Sequence, residues 1–371
     1  MLNLLQKSLL PGKVMVLYGP RQVGKTTLVH QLEYILTKKT RFINADELIY
    51  REALGSQNRQ RLDEVVADAE ILIIDEAQRV RDVGLNLKII IDNHPDLCVI
   101  ATGSASFELA NSISEPLTGR KLTYTLYPVS YPEISQTFGR LEARSELERW
   151  MIWGGYPAIV AAIQPELRGK LLGELVGSYL YRDLLEFDSI RRPEKIVDLL
   201  RLLAYQIGSE VSLNELATNL AINRATVEKY LDLLEKVFVI FRVRGFSRNL
   251  RKEVTKNPRY YFFDNGVRNS LINNFNALAL RNDVGQLWEN FLMIERLKAN
   301  QYAGRAANTY FWRTYDQKEI DCIEERGGKL YGYEFKWKGE LRRTTYREFT
   351  EVYPQSSLTS ITPENFEEFL T

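Results

Sequence analysis

An α/β fold with a parallel sheet is what this 371-residue chain predicts for its first third, and three observations carry the prediction. Val14, Met15, Val16 and Leu17 form a short apolar run suited to a buried strand. Directly after it, Gly19-Pro20-Arg21-Gln22-Val23-Gly24-Lys25-Thr26 completes the pattern GxxxxGK[ST]. Leu28, Leu32 and Ile35 then recur at helical spacing. Strand, glycine-turned loop and helix in that order aim backbone N–H groups and a positive helix end at a polyphosphate. Residues Gly19 to Thr27 are therefore the expected seat of a nucleoside triphosphate, taken as ATP. Lys25 would reach its β- and γ-phosphates, and Thr26 would offer a hydroxyl to Mg²⁺.

A second buried run, Ile71-Leu72-Ile73-Ile74, ends in Asp75-Glu76. Asp75 would hold Mg²⁺ through water, and Glu76 would polarise the attacking water. The next strand, Leu97 to Ala101, runs into Thr102-Gly103-Ser104, where Ser104 or Thr102 could sense the γ-phosphate or could cap a turn. These residues resemble the AAA+ branch of P-loop ATPases, in which a catalytic glutamate accompanies the metal-binding aspartate. That resemblance implies an arginine reaching into a neighbouring subunit's site. Arg120, in Pro116-Leu117-Thr118-Gly119-Arg120-Lys121, stands at the matching place. A trans-acting Arg120 would make the active unit a homo-oligomer, a hexameric ring being one form; a local salt bridge is the alternative.

Composition sets the outer bounds. Apolar content of 45% and charged content of 26% are those of an ordinary globular protein, and the net charge of +1 calls for no polyanion partner by itself. No run approaches 18 apolar residues, and Met-Leu-Asn-Leu-Leu-Gln-Lys lacks the layout of a cleaved signal, so a cytoplasmic protein off the membrane is expected. Cys98 and Cys322 sit in apolar runs and read as small core residues. With His30 and His94 the only histidines, any metal should be a hard cation on oxygen ligands.

Residues 1–140 are assigned to the ATPase core and 141–194 to a helical lid. Within the lid, Gly154-Gly155-Tyr156-Pro157 marks a turn between helices and resembles a signature of AAA-type ATPases related to signalling NTPases. Residues 195–265 predict a winged helix. Val197, Leu200, Ala204 and Ile207 share one helix face, and Ser212 with Glu215 starts a second helix. Asn223 caps a third, carrying Val227, Tyr230, Leu231, Leu234 and Val237. Val239 to Val243 and Tyr260 to Phe263 would be strands flanking a wing. From Arg224 to Arg259 there are ten Lys/Arg against four Asp/Glu, including Arg242, Arg244, Arg248, Arg251, Lys252 and Lys256. Such a surplus suits DNA phosphates, mostly without base readout, while winged helices also dock proteins.

In residues 280–371 a second chemistry is legible. Tyr331, Tyr333, Phe335 and Trp337 alternate along a strand and should face a core, leaving Glu334 and Lys336 on the opposite face. Asp321 lies on a preceding strand, and Glu289 on a helix spanning Leu287 to Lys298. This order of Glu, Asp and Glu-x-Lys resembles the PD-(D/E)xK nuclease superfamily with its restriction-endonuclease-like fold. The resemblance implies that Asp321 and Glu334 hold Mg²⁺, that Lys336 activates water and that Glu289 assists; the alternative is a solvated charged face. The whole chain looks like a bacterial or archaeal P-loop ATPase family joining an AAA-type motor to winged-helix and nuclease-like parts. Its marks are Gly19 to Thr26, Ile71 to Glu76, Thr102 to Ser104, Gly154 to Pro157, Tyr261 to Gly266 and the C-terminal acidic set. An ATPase acting on DNA, with endonuclease capacity, is the expected function; a nucleotide-controlled switch that binds proteins and cuts nothing is the rival.

Overall fold

A computed structural model describes residues 1–104, 113, 116–178, 192–247, 257–314, 318–339 and 343–371. These divide into two compact units, Met1–Tyr127 with Lys236–Phe238, and Pro128–Glu235 with Val239–Thr371.

The first unit is a five-stranded sheet, all of whose pairings are parallel, in the order β2-β3-β4-β1-β5. Its strands are β1 (Val14–Tyr18), β2 (Thr40–Asn44), β3 (Ile71–Asp75), β4 (Cys98–Thr102) and β5 (Lys121–Thr125). β1, β3 and β4 are buried at every residue, as parallel strands covered on both faces must be. β4 lies between β1 and β3, so the polar tip at Thr102 stands beside both the phosphate loop and the Asp75 end of β3. Helix α1 (Leu2–Lys7) packs on α2 (Lys25–Ile35), and α3 (Leu48–Leu54), α4 (Arg59–Val66) and α5 (Val83–Asn93) complete the unit. The helical spacing of Leu28, Leu32 and Ile35 is realised in α2, whose buried face is Lys25, Val29 and Leu32. Ile35 is left 40% exposed.

The second unit opens with helices α6 (Tyr131–Phe138), α7 (Arg140–Ser145), α8 (Leu147–Trp153), α9 (Pro157–Ala161) and α10 (Pro165–Ser178). Ser130 and Glu133 form a full capping box at the start of α6. The Gly-Gly-Tyr-Pro turn between α8 and α9 is fixed from a distance. Gly155 N–H donates to Asp264 at 2.7 Å, and the Val129 carbonyl occupies the place a Gly155 side chain would take. Asp264 also caps α14 (Asn265–Leu271) by accepting from Val267 N–H at 3.0 Å. From the same helix, Asn265 and Asn269 donate to the Met151 and Ile152 carbonyls at the end of α8, at 3.0 and 2.8 Å. The tetrapeptide and the Tyr261–Gly266 stretch are thus two halves of one buried hydrogen-bonded joint, which satisfies helix-end carbonyls that water cannot reach.

Helices α11 (Pro193–Tyr205), α12 (Leu213–Leu220) and α13 (Arg224–Lys236) follow. Ser212 caps α12, and Asn223 accepts from Thr226 N–H at 2.7 Å ahead of α13, which buries Val227, Tyr230, Leu231 and Leu234. β6 (Ile240–Gly245) and β7 (Arg259–Phe262) then pair antiparallel. The expected wing residues Arg248, Arg251, Lys252 and Lys256 lie outside the described residues. This hairpin is the edge of a larger sheet, since β6 also runs parallel to β8 (Asn308–Arg313). With β9 (Glu319–Arg326), β10 (Lys329–Phe335) and β11 (Ser357–Ile361) the order is β11-β10-β9-β8-β6-β7. Helix α15 (Val284–Tyr302) packs on β7 and β10, and α16 (Arg343–Val352) packs on β11. The chain closes with the short α17 (Phe366–Phe369).

β10 is therefore packed on both faces. Tyr333 and Phe335 meet the Phe369 ring at steep angles, while Gly332 abuts Phe349 and Leu358. The face that carries Glu334 is not solvated, and Glu334 is only 7% exposed.

Candidate functional site

At the C-terminal edge of the first sheet, Gly24 takes φ 92°, a left-handed value that glycine tolerates and that turns the loop into α2. Gly19 lies against the Leu126 carbonyl, where no side chain fits. The loop bends so that Lys25 Nζ, buried, donates to the Gly19 and Pro20 carbonyls at 2.9 Å each. Those bonds hold the ammonium in the loop's own concavity. Thr26 Oγ1 donates to Asp75 Oδ2 at 2.8 Å, and Thr102 Oγ1 donates to Asp75 Oδ1. Glu76 follows in a left-handed conformation, φ 54°, which turns its carboxylate away from the strand line. Gln78 Nε2 donates to that carboxylate and to Ser104 Oγ, the latter at 3.2 Å.

Of the expected loop residues, Val23 packs inward, Gln22 turns at φ 61°, and Arg21 and Thr27 flank the loop. The expected Thr26, Asp75, Glu76 and Ser104 are brought together. Thr102 serves Asp75, and Ser104 connects to Glu76. Gln78 is the residue that sequence reasoning missed, although it lies two positions past Glu76, where a short 3₁₀ turn (Ala77–Arg79) returns the side chain to the acid. Two oxygen donors in contact, Thr26 and Asp75, fit a Mg²⁺ ion that takes one or two protein ligands and draws the rest from phosphate and water.

Arg120 sits elsewhere. It precedes β5, whose Lys121 pairs with Val14 at the start of β1, so it lies at the sheet edge opposite the loop, in an ion pair with Asp92. It takes no part in its own chain's phosphate site.

In the second unit Glu289, Asp321, Glu334 and Lys336 do converge, around a cation that was not foreseen. Arg259 on β7 approaches Glu289 at 3.4 Å, Glu319 at 2.7 Å and Asp321 at 3.8 Å. Tyr261 OH donates to Glu289 at 2.6 Å, Phe335 N–H to Asp321 at 2.8 Å, and Lys336 Nζ to Glu334 at 2.7 Å. Among the described residues, no group of three or more His, Cys, Asp or Glu is arranged to hold a metal ion. The expected Glu289 and Asp321 stand beside a guanidinium, and Glu334 beside Lys336. The Arg259 guanidinium, 2% exposed, lies among these carboxylates and offsets part of their charge.

Burial pushes Glu289 up to about 7, against which Arg259 and Tyr261 pull downward. Burial, reinforced by Glu289 and Glu334, holds Asp321 well above the carboxylate range. Burial also raises Glu334, despite Lys336. A carboxylate whose folded pKa exceeds its unfolded value binds extra protons when folded, so its stabilisation is present on the acid side and lost as pH rises. For Glu289 that window runs from its ordinary 4.5 to about 7, and the loss is on the order of 3 kcal/mol. Asp283 acts in the opposite sense. Burial opposes its charge, but hydrogen bonds from Arg281 and Arg268 bring it to about 2, so its contribution is lost only in stronger acid. All five tryptophans, Trp150, Trp153, Trp288, Trp312 and Trp337, belong to this unit, so their fluorescence reports its unfolding alone. The urea midpoint should be lower at pH 7.5 than at pH 5.5, and Glu289→Gln should flatten the difference. A midpoint that rises across this interval would contradict the assignment.

Fold and site together define an AAA-type P-loop ATPase domain followed by an α/β unit of different design. Three family models match in series: an AAA domain at residues 11–135, a domain of unknown function (DUF8612) at 144–278, and another (DUF4143) at 284–367. The chain belongs to the family of the uncharacterized proteins Rv2008c of Mycobacterium tuberculosis and Mb2031c of Mycobacterium bovis. Each is 31% identical over 342 residues, covering 90% of this chain and 72% of the relative. The uncharacterized protein MJ1544 of Methanocaldococcus jannaschii is 26% identical over 320 residues, 77% of this chain and 67% of that one. Among solved structures, the Walker-type ATPase PABY2304 of Pyrococcus abyssi superposes with a TM-score of 0.48 at 17% identity, over 73% of this chain and 94% of that chain. No helix among the described residues is long and apolar enough to cross a membrane.

Proposed function

We propose that the protein is a Mg²⁺-dependent ATPase that hydrolyses ATP at Gly19–Thr27 and Asp75–Glu76 and acts on DNA through its second unit. The observation that carries the hydrolytic reading is the convergence of Lys25, Thr26, Asp75, Glu76, Gln78 and Ser104 at one sheet edge. Lys25 exchanges its two carbonyl partners for phosphate oxygens and offsets their charge. Glu76 orients the attacking water and accepts its proton, held in place by Gln78. Ser104, which accepts from the same Gln78 Nε2, links the γ-phosphate position to the acid. Thr26 and Asp75 would hold Mg²⁺, which would supply charge neutralisation at the phosphates. Arg120 from a neighbouring copy completes the site in an oligomer, having first exchanged Asp92 for phosphate.

The DNA reading rests on a groove of about 510 Å³ lined by Ser212, Asn214, Arg224, Arg242, Arg244 and Tyr260. Arg242 and Arg244 alternate along β6 and share its exposed face. Glu228 and Asp232 line the same groove, and Arg224 and Arg242 are ion-paired to Glu228 and Glu235, a mixture that favours phosphate contact over base readout. Labelled duplex should bind with an affinity that falls steeply between about 50 and 200 mM salt. Arg242→Ala and Arg244→Ala should each lower the log–log slope by about one. A flat slope would remove DNA from the proposal.

The second reading is a nucleotide-controlled switch whose C-terminal parts bind proteins and cut nothing. Arg259 among the carboxylates favours this view of the last third over endonuclease action by Glu334 and Lys336. Buried free thiols at Cys98 and Cys322 suit a cytoplasmic setting.

A further inference from the structure

We infer that the groove between α1 and α2 seats the base and ribose of the nucleotide, with Tyr34 as its stacking surface; this rests on the ATP reading of the adjoining loop. The groove measures about 520 Å³, within the range of small-ligand sites, and is lined by Leu2, Thr27, His30, Gln31, Tyr34 and Ile35 together with Thr26. Thr26 and Thr27 belong at once to the phosphate loop and to this groove, so the two are continuous. A ligand fixed by its phosphates at Lys25 has this surface as an outlet along α2.

Thr27, His30, Gln31 and Tyr34 recur at three- and four-residue spacing and share one helix face. At 1.5 Å per residue the face runs about 10 Å from Thr27 to Tyr34, a stretch suited to ribose and base laid end to end. Its chemistry is that of a nucleoside site. Among the described residues no lysine or arginine lines it, which disfavours phosphate or nucleic-acid backbone as the occupant. Tyr34 is 91% exposed and Ile35 40%, two large apolar groups that the fold itself leaves unused. His30 is held in place, stacked on Phe42 at 4.3 Å and paired with Glu33 at 3.1 Å. The Gln31 amide can both donate and accept, as the edge of a base requires.

The test compares Mg·ATP with inorganic tripolyphosphate by calorimetric titration of the full chain. Tyr34→Ala should weaken ATP about tenfold and leave tripolyphosphate unchanged, while Tyr34→Phe restores ATP affinity. Gln31→Ala should shift ATP alone in the same direction. If Tyr34→Ala leaves ATP affinity intact, or lowers both ligands equally, the base does not lie here. The same holds if the variant changes only the sedimentation mass, since the groove would then be a contact between copies. Lys25→Ala separates the underlying premise: loss of both ligands supports the phosphate loop, and no loss of either overturns the ATP reading itself.

Discussion

Glu76→Gln should bind Mg·ATP as tightly as the unaltered protein and hydrolyse it about 10²–10³-fold more slowly. The amide keeps the shape and the hydrogen bond to Gln78 but cannot take the proton of the attacking water. Binding survives because the phosphate contacts lie with the loop and Lys25, not with Glu76. Lys25→Ala behaves differently and loses both, since its ammonium already occupies the loop concavity between the Gly19 and Pro20 carbonyls. Gln78→Ala should lower kcat with little change in KM, because it loosens the catalytic acid without touching the loop. Single-turnover phosphate release alongside equilibrium ATP binding checks all three. Full turnover by Glu76→Gln would place the general base elsewhere.

Arg296→Met should destabilise the second unit by about 3–5 kcal/mol. Arg296 meets Glu324 in a two-pronged pair, Nε to Oε1 and Nη2 to Oε2 at 2.8 Å each, and Asn300 donates to the same carboxylate at 2.6 Å. Glu324 has no exposure and Arg296 only 5%. The guanidinium also donates to the Phe369 carbonyl and lies over the Tyr333 and Phe369 rings. Removing it alone leaves the buried carboxylate with only Arg326, 3.4 Å away and partly exposed, to offset its charge. Removing both charges with Arg296→Met and Glu324→Leu should recover most of the loss, because the desolvation cost of the acid goes with it. Urea titrations followed by tryptophan fluorescence decide the matter. A single variant within about 1 kcal/mol of the parent would contradict this view of the pair.

The phosphate loop and the Asp75–Glu76 strand end were legible in the sequence because their chemistry is carried by contiguous residues whose spacing is set by strand and helix periods. The helix caps at Ser212 and Asn223 were legible for the same reason. Gln78 lay in plain sight, but its role depends on the left-handed turn at Glu76, which no side-chain pattern announces. The second unit hid more. Arg259 reads as one basic residue in a basic stretch, yet its partners Glu289, Glu319 and Asp321 lie 30 to 62 positions away and meet it only after β7, α15 and β9 assemble. The acid set itself was correctly gathered by its order along the chain, whereas the cation at its centre was not. The alternation of β10 pointed to one packed face, whereas Phe369 of α17 packs on one face and Phe349 of α16 on the other. The partnership of Gly155 with Asp264 spans 109 positions and was visible only as two separate short motifs.

If hydrolysis at the loop serves DNA, as proposed, steady-state ATP turnover should differ with and without DNA. Single-stranded, duplex and branched DNA should be compared at low salt. At least one of them should raise kcat, added salt should abolish the rise, and Arg242→Ala with Arg244→Ala should remove it while basal turnover stays. Turnover that is the same with every DNA structure would rule out a DNA-coupled ATPase and leave a nucleotide switch directed at protein partners.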